Sequence, residues 1–546
     1  MAQWDRSTDV VVVGSGAAAF AAAATAASAG RTVLMLERAA APGGTTYRSG
    51  GGYWIPNNRF MRAAGTADPR DAALRFMAKL AYPYLYDPTH PALGLSENQH
   101  SLIAAFFDRA STAIDELERL GVLHSQHDPL TPDYNADLPE DLAPYGRYVN
   151  PTAKPASPLD HGNGVDMIEQ MHAGCLRLGV ELLCDHRVVH CLRGPTGEVV
   201  GVEVEHPGGT LRVGARHGVV FGSGGFLHNP EMRTDFLRGP IFGGCGAITN
   251  TGDFVRIGIE LGADLANMSQ AWWAQVVLEE VLDNPSPPKN VWIPFGDSMV
   301  LVNGRGQRVV NEKMTYNERG QVHFLWDAGG REYPNLLLFM IYDDAVAQNP
   351  VAYNFRRPVP MPGDPNPYLI TGSDWEDLAA RIRERLAAVA GKTGGYALAA
   401  DFVPRLRETV ARFNGFAEQG YDPDFHRGET PIQLAWGGPL REGNEKNACM
   451  YPFRSEGPYH CFILAGGGLD TKGGPRTDAR ARVLDLEGQP IPGLYGAGNC
   501  VASPAGQAYW SAGTTLGLCL TFGYLAGRGV STEPARDLAE TVAGSV

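Results

Sequence analysis

The sequence lacks the features that mark nucleic-acid-binding and metal-binding proteins. It has 46 Lys and Arg residues against 60 Asp and Glu residues, so it has no basic excess for binding phosphates. None of its eight cysteines forms a C-x-x-C pair or a Cys/His cluster with zinc spacing. We therefore expect reduced thiols, no bound metal and no nucleic-acid partner.

Targeting signals and long apolar segments are also missing. The start MAQWDRSTD has no basic region ahead of an apolar stretch, which argues against a secretory signal. The apolar run 10–30 is broken at Gly14 and Gly16, and no other stretch approaches the ~20 residues that a spanning helix needs. These absences predict a cytoplasmic chain without an integral membrane segment, with peripheral membrane association as an alternative.

Glycine, in contrast, is abundant, with 67 residues among 546. Much of it falls in short clusters, which is typical of tight turns around a ligand. The length predicts two or three domains with a substantial core.

The first 37 residues predict a strand–helix–strand unit. A β-branched run at 9–13 indicates a buried strand, an alanine-rich stretch to about residue 29 a helix, and 31–36 a second strand. Gly14 and Gly16 form the turn, where backbone and helix N-terminus can meet a pyrophosphate. Glu37 follows Gly14 by 23 residues, which suits a bond from a ribose hydroxyl. This dinucleotide-binding unit assigns cofactor contacts to Gly14, Gly16, Ala17, Ala18 and Glu37.

A second glycine-rich segment, APGGTTYRSGGG at 41–52, follows Glu37 and Arg38. Its backbone amides suit a long, extended dinucleotide. The two segments together resemble FAD enzymes of the fumarate reductase and 3-ketosteroid dehydrogenase superfamily. This resemblance implies that FAD is the cofactor and assigns contacts to Arg38, Gly43, Gly44, Thr45, Thr46, Ser49, Gly50 and Gly51.

Three later segments resemble the same superfamily. RHGVVFGSGGFLHN at 216–229 is similar to the strand and turn over the adenosine half, and NTGDFVRIGIELGADL at 250–265 to its T-G-D segment and helix. IPGLYGAGNCVASP at 491–504 resembles the strand that returns to the flavin. The resemblance implies further cofactor contacts at Val188, Gly224, Asp253, Gly498, Asn499, Thr515 and Leu516.

The predicted fold class is α/β. A discontinuous, Rossmann-like FAD-binding domain occupies 1–270 and 456–546, and an inserted α+β domain at 271–455 caps the flavin. The insert is rich in tryptophan and proline and has helical patterns at 374–390 and 401–418. The first part predicts helices at 68–81 and 97–120 and a loop at 125–158, a length typical of functional loops.

The segment GQAYWSAGTTLG at 506–517 predicts a loop that runs into a helix. Tyr509 and Gly513, with the T-x-G and TFGY patterns that follow, resemble 3-ketosteroid Δ1-dehydrogenases. In that family the tyrosine hydroxyl and the glycine amide donate to the substrate's ketone oxygen. A helix N-terminus offers free N–H groups and partial positive charge, and one oxyanion donor is worth roughly 3–4 kcal/mol.

The same resemblance assigns a base and its support. Tyr316, in GRGQRVVNEKMTYNERG at 304–320, matches the tyrosine that abstracts a proton, and Tyr134, in TPDYNADLPED at 131–141, matches a supporting tyrosine. A free tyrosine has a pKa near 10, so a neighbouring donor or positive charge must lower it. Arg319, Tyr134 and another pocket hydroxyl are the candidates.

The resemblance therefore implies FAD-dependent α,β-dehydrogenation of a cyclic ketone, with a 3-ketosteroid and the Δ1 bond favoured. Ser511, two residues after Tyr509, resembles Δ4-(5α)-type ketosteroid dehydrogenases, and the bulk of Trp510 leaves a simple ketone such as cyclohexanone open. The expected partners are a lipophilic ketone and an external electron acceptor.

Two other functions are less favoured. A fumarate- or urocanate-type ene-reductase needs cationic clamps for carboxylates. However, Asp470 replaces that family's histidine, and no arginine lies in 503–517. A non-catalytic flavin-binding subunit is the third hypothesis, although the sequence has no Fe–S spacing or haem motif.

Overall fold

The chain divides into two compact units. The computed structural model describes residues 4–153, 162–352, 356–437 and 441–538. The first unit comprises 1–236, 246–271 and 470–546, and the second comprises 237–245 and 272–469. The predicted insert ends at residue 455, but strand Tyr459–Thr471 pairs with strand Leu337–Asp343 of the second unit. Residues up to Leu469 therefore belong to that unit.

An eight-stranded sheet forms the centre of the first unit. The spatial order of six strands is Arg482–Leu484, Pro490–Gly496, Gly209–Phe221, Arg6–Val13, Val33–Leu36 and Glu181–Leu183. The other two strands are antiparallel: Val199–His206 pairs with Gly209–Phe221, and Arg187–Arg193 pairs with Val199–His206. The five strands from Pro490–Gly496 to Glu181–Leu183 run parallel. Val10 to Val13 are buried, as expected for a parallel strand that is covered on both faces.

Nine α-helices are described in the first unit. They are Ala17–Ser28, Gly44–Tyr47, Arg59–Ala63, Arg70–Ala81, Glu97–Arg119, Gly164–Arg177, Pro230–Phe236, Asp253–Glu260 and Thr514–Ser531. Small residues let the first and last of these approach closely: a Cβ at Gly527 would lie 2.4 Å from the carbonyl oxygen of Ala22. The helices predicted at 68–81 and 97–120 are confirmed with slightly shorter bounds.

Two small sheets complete the first unit. Tyr53–Trp54, Tyr148–Pro151 and Ser125–His127 form one, and Leu265–Ala266 pairs with Gly474–Pro475 in the other. The segment predicted as a loop at 125–158 therefore contains two short strands, and its residues 154–158 lie outside the described ranges. The strand sequences SQH and YVNP are too short and too polar to show the alternation that predicts a strand.

The second unit is built on a six-stranded sheet. Gly243–Gly244, Tyr459–Thr471, Leu337–Asp343 and Met299–Val302 form its main path, and Ala271–Val277 and Ile370–Gly372 also pair with Tyr459–Thr471. Among its described residues, the α-helices with given bounds are Leu278–Asp283, Tyr316–Gly320, Asp344–Ala347, Trp375–Ala388, Phe402–Gln419 and Pro431–Trp436. Phe339 packs in one core with Leu378 and Phe402, and its neighbour Met340 packs in another, because successive strand residues face opposite sides.

Short 3-10 helices lie at Gln321–Phe324, Ala390–Lys392 and Gly498–Cys500. Within the ranges given above, no helix is both long enough and apolar enough to cross a bilayer.

Candidate functional site

A cleft in the first unit opens at the carboxyl ends of three parallel strands, just after Val13, Leu36 and Phe221. This is where ligands bind in sheets of this kind. Many of the residues predicted to bind the cofactor line it: Gly14, Gly16, Ala17, Ala18, Glu37, Arg38, Gly44, Thr45, Thr46, Val188, Gly224, Asp253, Gly498 and Asn499. Tertiary folding thus collects segments that are far apart in sequence around one cavity.

The glycine turn after the first strand fits a bound dinucleotide. Gly14 has a φ of +99°, and a Cβ there would lie 2.5 Å from the carbonyl oxygen of Gly222. Only glycine allows this contact between the two glycine-rich turns. Helix Ala17–Ser28 begins directly afterwards, so its first N–H groups lie beside the cleft and suit a pyrophosphate.

Glu37 is a buried carboxylate at the edge of the cleft. Ser15 Oγ donates to its Oε2 at 2.5 Å, and the Ala39 N–H donates to its Oε1 at 2.8 Å. Burial raises the pKa of Glu37, while these two bonds oppose the shift. A carboxylate accepts more than two hydrogen bonds, so Glu37 retains capacity for a ribose hydroxyl.

Arg38 and Asp253 shape the same cleft by pairing with each other. Arg38 Nη1 lies 3.0 Å from Asp253 Oδ2, and Arg187 Nη2 lies 2.8 Å from Asp253 Oδ1. Arg38 also donates to the Thr251 hydroxyl at 2.6 Å. These contacts join the strand ends to the start of helix Asp253–Glu260.

The other predicted cofactor residues lie outside the lining of this cleft: Gly43, Ser49, Gly50, Gly51, Thr515 and Leu516. The Gly43 N–H donates to Ser15 Oγ at 2.9 Å, which ties the second glycine-rich segment to the first. Ser49 Oγ donates to the carbonyl of Thr46 and accepts from the N–H of Gly51. Thr515 and Leu516 lie on the first turn of helix Thr514–Ser531.

Three of the four predicted catalytic residues lie in the first unit. Tyr134 and Tyr509 are both 4% exposed, and their ring centroids are 5.4 Å apart. The Thr515 hydroxyl lies 3.4 Å from the Tyr509 hydroxyl. Gly513 is the N-cap of helix Thr514–Ser531, as the sequence predicts.

The backbone at Gly513 is packed too tightly for any side chain. Its φ is +84°, and a Cβ would lie 2.7 Å from Tyr53 Cα and 2.8 Å from the Gly52 carbonyl oxygen. Its own carbonyl accepts from the Trp54 N–H at 3.0 Å and from the Gly517 N–H at 2.9 Å. This packing holds the peptide at the helix N-terminus in one place beside Tyr509.

Tyr316 lies in the second unit. It opens helix Tyr316–Gly320, is 7% exposed and stacks on Trp436 with a centroid distance of 6.4 Å. Arg319, on the same helix, is fully buried. It donates to Gln275 Oε1 at 2.6 Å and to the carbonyls of Met314, Val291 and Trp292. These acceptors are uncharged, and burial lowers the pKa of Arg319 to about 9.

Lys472 contacts the loop of the predicted site, although no sequence pattern indicates it. Its ammonium is buried and donates to the carbonyls of Ala508 at 2.6 Å and Gly506 at 3.3 Å. It therefore anchors the loop that carries Tyr509. The two partners are 34 and 36 residues away in sequence, so no local pattern links them.

The sequence indicates Asp470 only as a replacement for the histidine of fumarate reductases. Its fully buried carboxylate lines the cofactor cleft. Oδ2 accepts from the N–H of Gly225 at 3.0 Å, from Asn250 at 2.7 Å and from Asn499 at 3.2 Å. Burial raises its pKa to about 6, against the effect of these donors.

Trp510 and Ser511 follow Tyr509 and are both fully buried. The Trp510 indole donates to the Met77 carbonyl at 3.0 Å, and its ring lies 5.8 Å from that of Trp54 and 5.7 Å from that of Phe106. Its bulk thus fills the helical core behind the loop. The Ser511 hydroxyl has no hydrogen-bond partner in the described part of the chain.

Taken together, the cleft and its glycine turns are those of an FAD-dependent oxidoreductase. Residues 9–516 match the FAD binding domain family, and the chain belongs to that family. More narrowly, the predicted resemblance to 3-ketosteroid dehydrogenases is confirmed, since relatives of that kind match the chain. The predictions of FAD as cofactor and of the α/β fold class are confirmed.

Two curated relatives match nearly the full chain. One is 4-oxocyclohexanecarboxylate 2-dehydrogenase of Sinomonas cyclohexanicum, 31% identical over 89% of this chain and 86% of the relative. The other is 3-oxosteroid 1-dehydrogenase of Mycolicibacterium smegmatis, 30% identical over 91% of each chain.

Two solved structures share the fold. The 3-ketosteroid Δ1-dehydrogenase of Sterolibacterium denitrificans, in complex with 1,4-androstadiene-3,17-dione, has a TM-score of 0.80 and 26% identity over 96% of this chain and 99% of its own. The 3-ketosteroid Δ4-(5α)-dehydrogenase of Rhodococcus jostii, in complex with 4-androstene-3,17-dione, has a TM-score of 0.68 and 25% identity over 98% of each chain.

We expect Glu37→Gln to weaken FAD binding by about 10- to 100-fold, because a hydrogen bond to a charged group contributes roughly 1.5–3 kcal/mol. Titration of apo-protein with FAD, followed by the quenching of flavin fluorescence, measures the change. Glu231→Gln is the matched control, since the Glu231 side chain is 82% exposed. Equal FAD affinity in the two variants would contradict the ribose role.

Proposed function

We propose that the protein dehydrogenates a cyclic ketone between its α and β carbons, with a 3-ketosteroid desaturated at Δ1 as the favoured substrate. The observation that carries this proposal is the position of the buried Tyr509 hydroxyl, 3.4 Å from the Thr515 hydroxyl on the first turn of the helix that Gly513 caps. The Tyr509 ring packs against Tyr134. The relatives that act on cyclic ketones support it.

In this proposal, Tyr509 and Gly513 polarise the substrate carbonyl. The phenol hydroxyl and the backbone N–H donate to the ketone oxygen, where negative charge develops as the α-proton leaves. The partial positive charge of the helix N-terminus adds to this stabilisation. Each donor contributes roughly 3–4 kcal/mol to the transition state.

Tyr316 is the proposed base that removes the α-proton. A neighbouring positive charge favours the tyrosinate form and lowers its pKa. Arg319, three residues later on the same helix, is the proposed source of that charge. Its hydrogen bonds go to uncharged acceptors, which do not neutralise it. Bound FAD supplies the hydride acceptor for the β C–H bond.

The ene-reductase alternative lacks the cationic clamp that its substrates need. A dicarboxylate is held by cationic partners, but Asp470 stands where that family has histidine, and no arginine lies in 503–517. A ketone without a carboxylate needs no such clamp.

A Δ4-(5α)-ketosteroid dehydrogenase is the second candidate. The observation that favours it is Ser511, whose buried hydroxyl has no partner among the described residues and follows Tyr509 by two positions. The relation to the Rhodococcus jostii structure supports this candidate. A small ketone such as cyclohexanone is the third substrate class, in line with the Sinomonas relative.

A stopped-flow panel tests these candidates. The holoenzyme is mixed anaerobically with a Δ4-3-ketosteroid, a 5α-saturated 3-ketosteroid or cyclohexanone, and bleaching of the flavin absorbance is recorded. We expect the fastest bleaching with the Δ4-3-ketosteroid and a Δ1 product by mass spectrometry and NMR. A product carrying a new Δ4 bond would select the second candidate. Anaerobic oxidation of a reduced dye by fumarate, together with no flavin bleaching by any of the three ketones, would refute ketone dehydrogenation and favour the ene-reductase.

A further inference from the structure

A buried ionic cluster is linked to Tyr509 and Gly513, the two proposed hydrogen-bond donors to the substrate's carbonyl oxygen. We call Arg147 and its three carboxylate partners, Asp68, Asp133 and Asp141, the Arg147 hub. Arg147 Nε and Nη2 lie 3.0 and 2.7 Å from the two oxygens of Asp68, and Nη1 lies 2.6 Å from Asp133 and 2.8 Å from Asp141. The four side chains are at most 2% exposed.

The composition of the hub makes it a poor device for stability alone. Three carboxylates face one guanidinium, so negative groups are in excess. Taking ions out of water costs several kcal/mol each, and attraction often fails to repay this. Oδ2 of Asp141 is buried without a hydrogen-bond partner among the described residues. A cluster of this kind is better explained by what it holds in place.

The first element that it holds is the strand beneath Gly513. Trp54 Nε1 donates to Asp133 Oδ1 at 2.6 Å, and the backbone N–H of Trp54 donates to the Gly513 carbonyl at 3.0 Å. The guanidinium also lies over the Trp54 indole, with Arg147 Cζ 5.3 Å from the ring centroid. Two consecutive hydrogen bonds therefore connect the hub to the helix N-terminus.

The second element is the tyrosine behind Tyr509. Asp133 directly precedes Tyr134, whose ring centroid lies 5.4 Å from that of Tyr509. The Asp133 N–H donates to the Pro144 carbonyl at 2.8 Å, so the backbone of this loop is fixed as well. A displacement of Asp133 would therefore shift Gly513 through Trp54, and Tyr509 through Tyr134.

We propose that the Arg147 hub is the positioning element of the carbonyl-oxygen site, in which Asp133 holds Trp54 against Gly513 and Tyr134 against Tyr509. Asp133 is a positioning residue and does not contact the substrate. The inference rests on the proposed function for its kinetic consequence, whereas the titration of the hub is independent of any substrate.

Protonation offers a separate signature of the hub. Burial raises the pKa of Asp133 to about 7, and Asp141 adds to this shift while Arg147 opposes it. The charged groups that face Asp133 are Arg147 and, around the guanidinium, Asp141 and Asp68. Strand Tyr53–Trp54 presents the Trp54 indole, and helix Arg70–Ala81 presents the Phe76 ring to Arg147.

The sign of the pH effect follows from this direction. The folded protein keeps a proton on Asp133 that the unfolded chain releases near pH 4. Stability from this source is therefore lost as the pH rises from about 4 to about 7. An asparagine at 133 carries no such proton, so this part of the loss should disappear. Burial also raises the pKa of Asp141, so a smaller loss of the same sign should remain.

The test combines two variants and a control in the FAD-loaded protein. Trp54→Phe removes the donor to Asp133 and keeps a ring, Asp133→Asn removes the titration, and Asp137→Asn makes the same charge change at an exposed position of the same loop. The readouts are kcat and KM for the ketone, the affinity for p-nitrophenolate as a mimic of the enolate oxygen, and the melting temperature between pH 5 and 8.

Misplacement of a catalytic group by about 1 Å costs on the order of 100-fold, so we expect Trp54→Phe and Asp133→Asn to lower kcat at least about tenfold with little change in KM. Both should weaken p-nitrophenolate binding, and Asp133→Asn should flatten the pH dependence of melting. Asp137→Asn should match the wild type. If Trp54→Phe keeps the wild-type kcat and the wild-type affinity for p-nitrophenolate, the inference is wrong. It is also wrong if kcat and this affinity fall only in proportion to the FAD that the variant loses.

The p-nitrophenolate binding measurement distinguishes a failure of this inference from a failure of the proposed function. If the wild-type protein turns over no ketone but binds p-nitrophenolate, and Trp54→Phe weakens that binding, the hub stands and the proposed reaction fails. If the wild-type protein does not bind p-nitrophenolate, the site that the hub is proposed to position does not exist, and the inference fails.

Discussion

Tyr316→Phe should lower kcat by about 10²- to 10⁴-fold, the range that general acid–base catalysis contributes. The variant loses the hydroxyl that would take the α-proton but keeps the ring that stacks on Trp436. FAD content should be unchanged, because no cofactor contact is removed. Anaerobic flavin reduction by the ketone, measured in single-turnover experiments, isolates the chemical step.

The matched control for this variant is Tyr342→Phe. Tyr342 is fully buried in the same unit, and its hydroxyl has no hydrogen-bond partner within the described ranges. Any general effect of removing a buried phenol hydroxyl should appear there. Turnover near the wild-type rate in Tyr316→Phe would end the assignment of this residue as the base.

Tyr509→Phe should lower kcat by about 10²- to 10³-fold, the loss seen when one oxyanion donor is removed. The ring contact with Tyr134, at 5.4 Å between centroids, remains possible in the variant. Because the hydroxyl acts most strongly on the developing negative charge, kcat should fall more than KM rises. Steady-state kinetics with the preferred ketone measure both constants.

Tyr524→Phe serves as the control for the second variant. Tyr524 lies on helix Thr514–Ser531, is 5% exposed and accepts from Arg528 through its hydroxyl at 3.2 Å. Its loss should leave kcat within about threefold, since most changes away from the site cost little. If Tyr509→Phe falls within the same range, the carbonyl-donor role is wrong.

The nucleotide-binding end was largely predictable because its signals are local. The β-branched run before Gly14 and the alanine-rich stretch after Gly16 give strand Arg6–Val13 and helix Ala17–Ser28. The start of the last helix at Gly513 was predictable for the same reason, since four-residue spacing and a positive φ are properties of a few adjacent residues.

The supports of the candidate site were not predictable in this way. Asp68 and Asp133 are each joined to a partner 79 residues away, Arg147 and Trp54 respectively, and Lys472 reaches carbonyls more than 30 residues later. No periodicity links such residues. The strands Ser125–His127 and Tyr148–Pro151 were likewise missed, since pairing partners rather than their own sequences define them.

The sequence by itself determined the cofactor class, the positions of the glycine turns and the tyrosines that resemble catalytic ones, because each depends on short patterns and backbone conformation. Only the tertiary structure decided what surrounds them. Burial raises the pKa values of Asp133 and Asp470, and packing places the Trp510 indole in the core, where it donates to the Met77 carbonyl. These properties depend on dielectric and on contacts between distant segments, which exist only once the chain has folded.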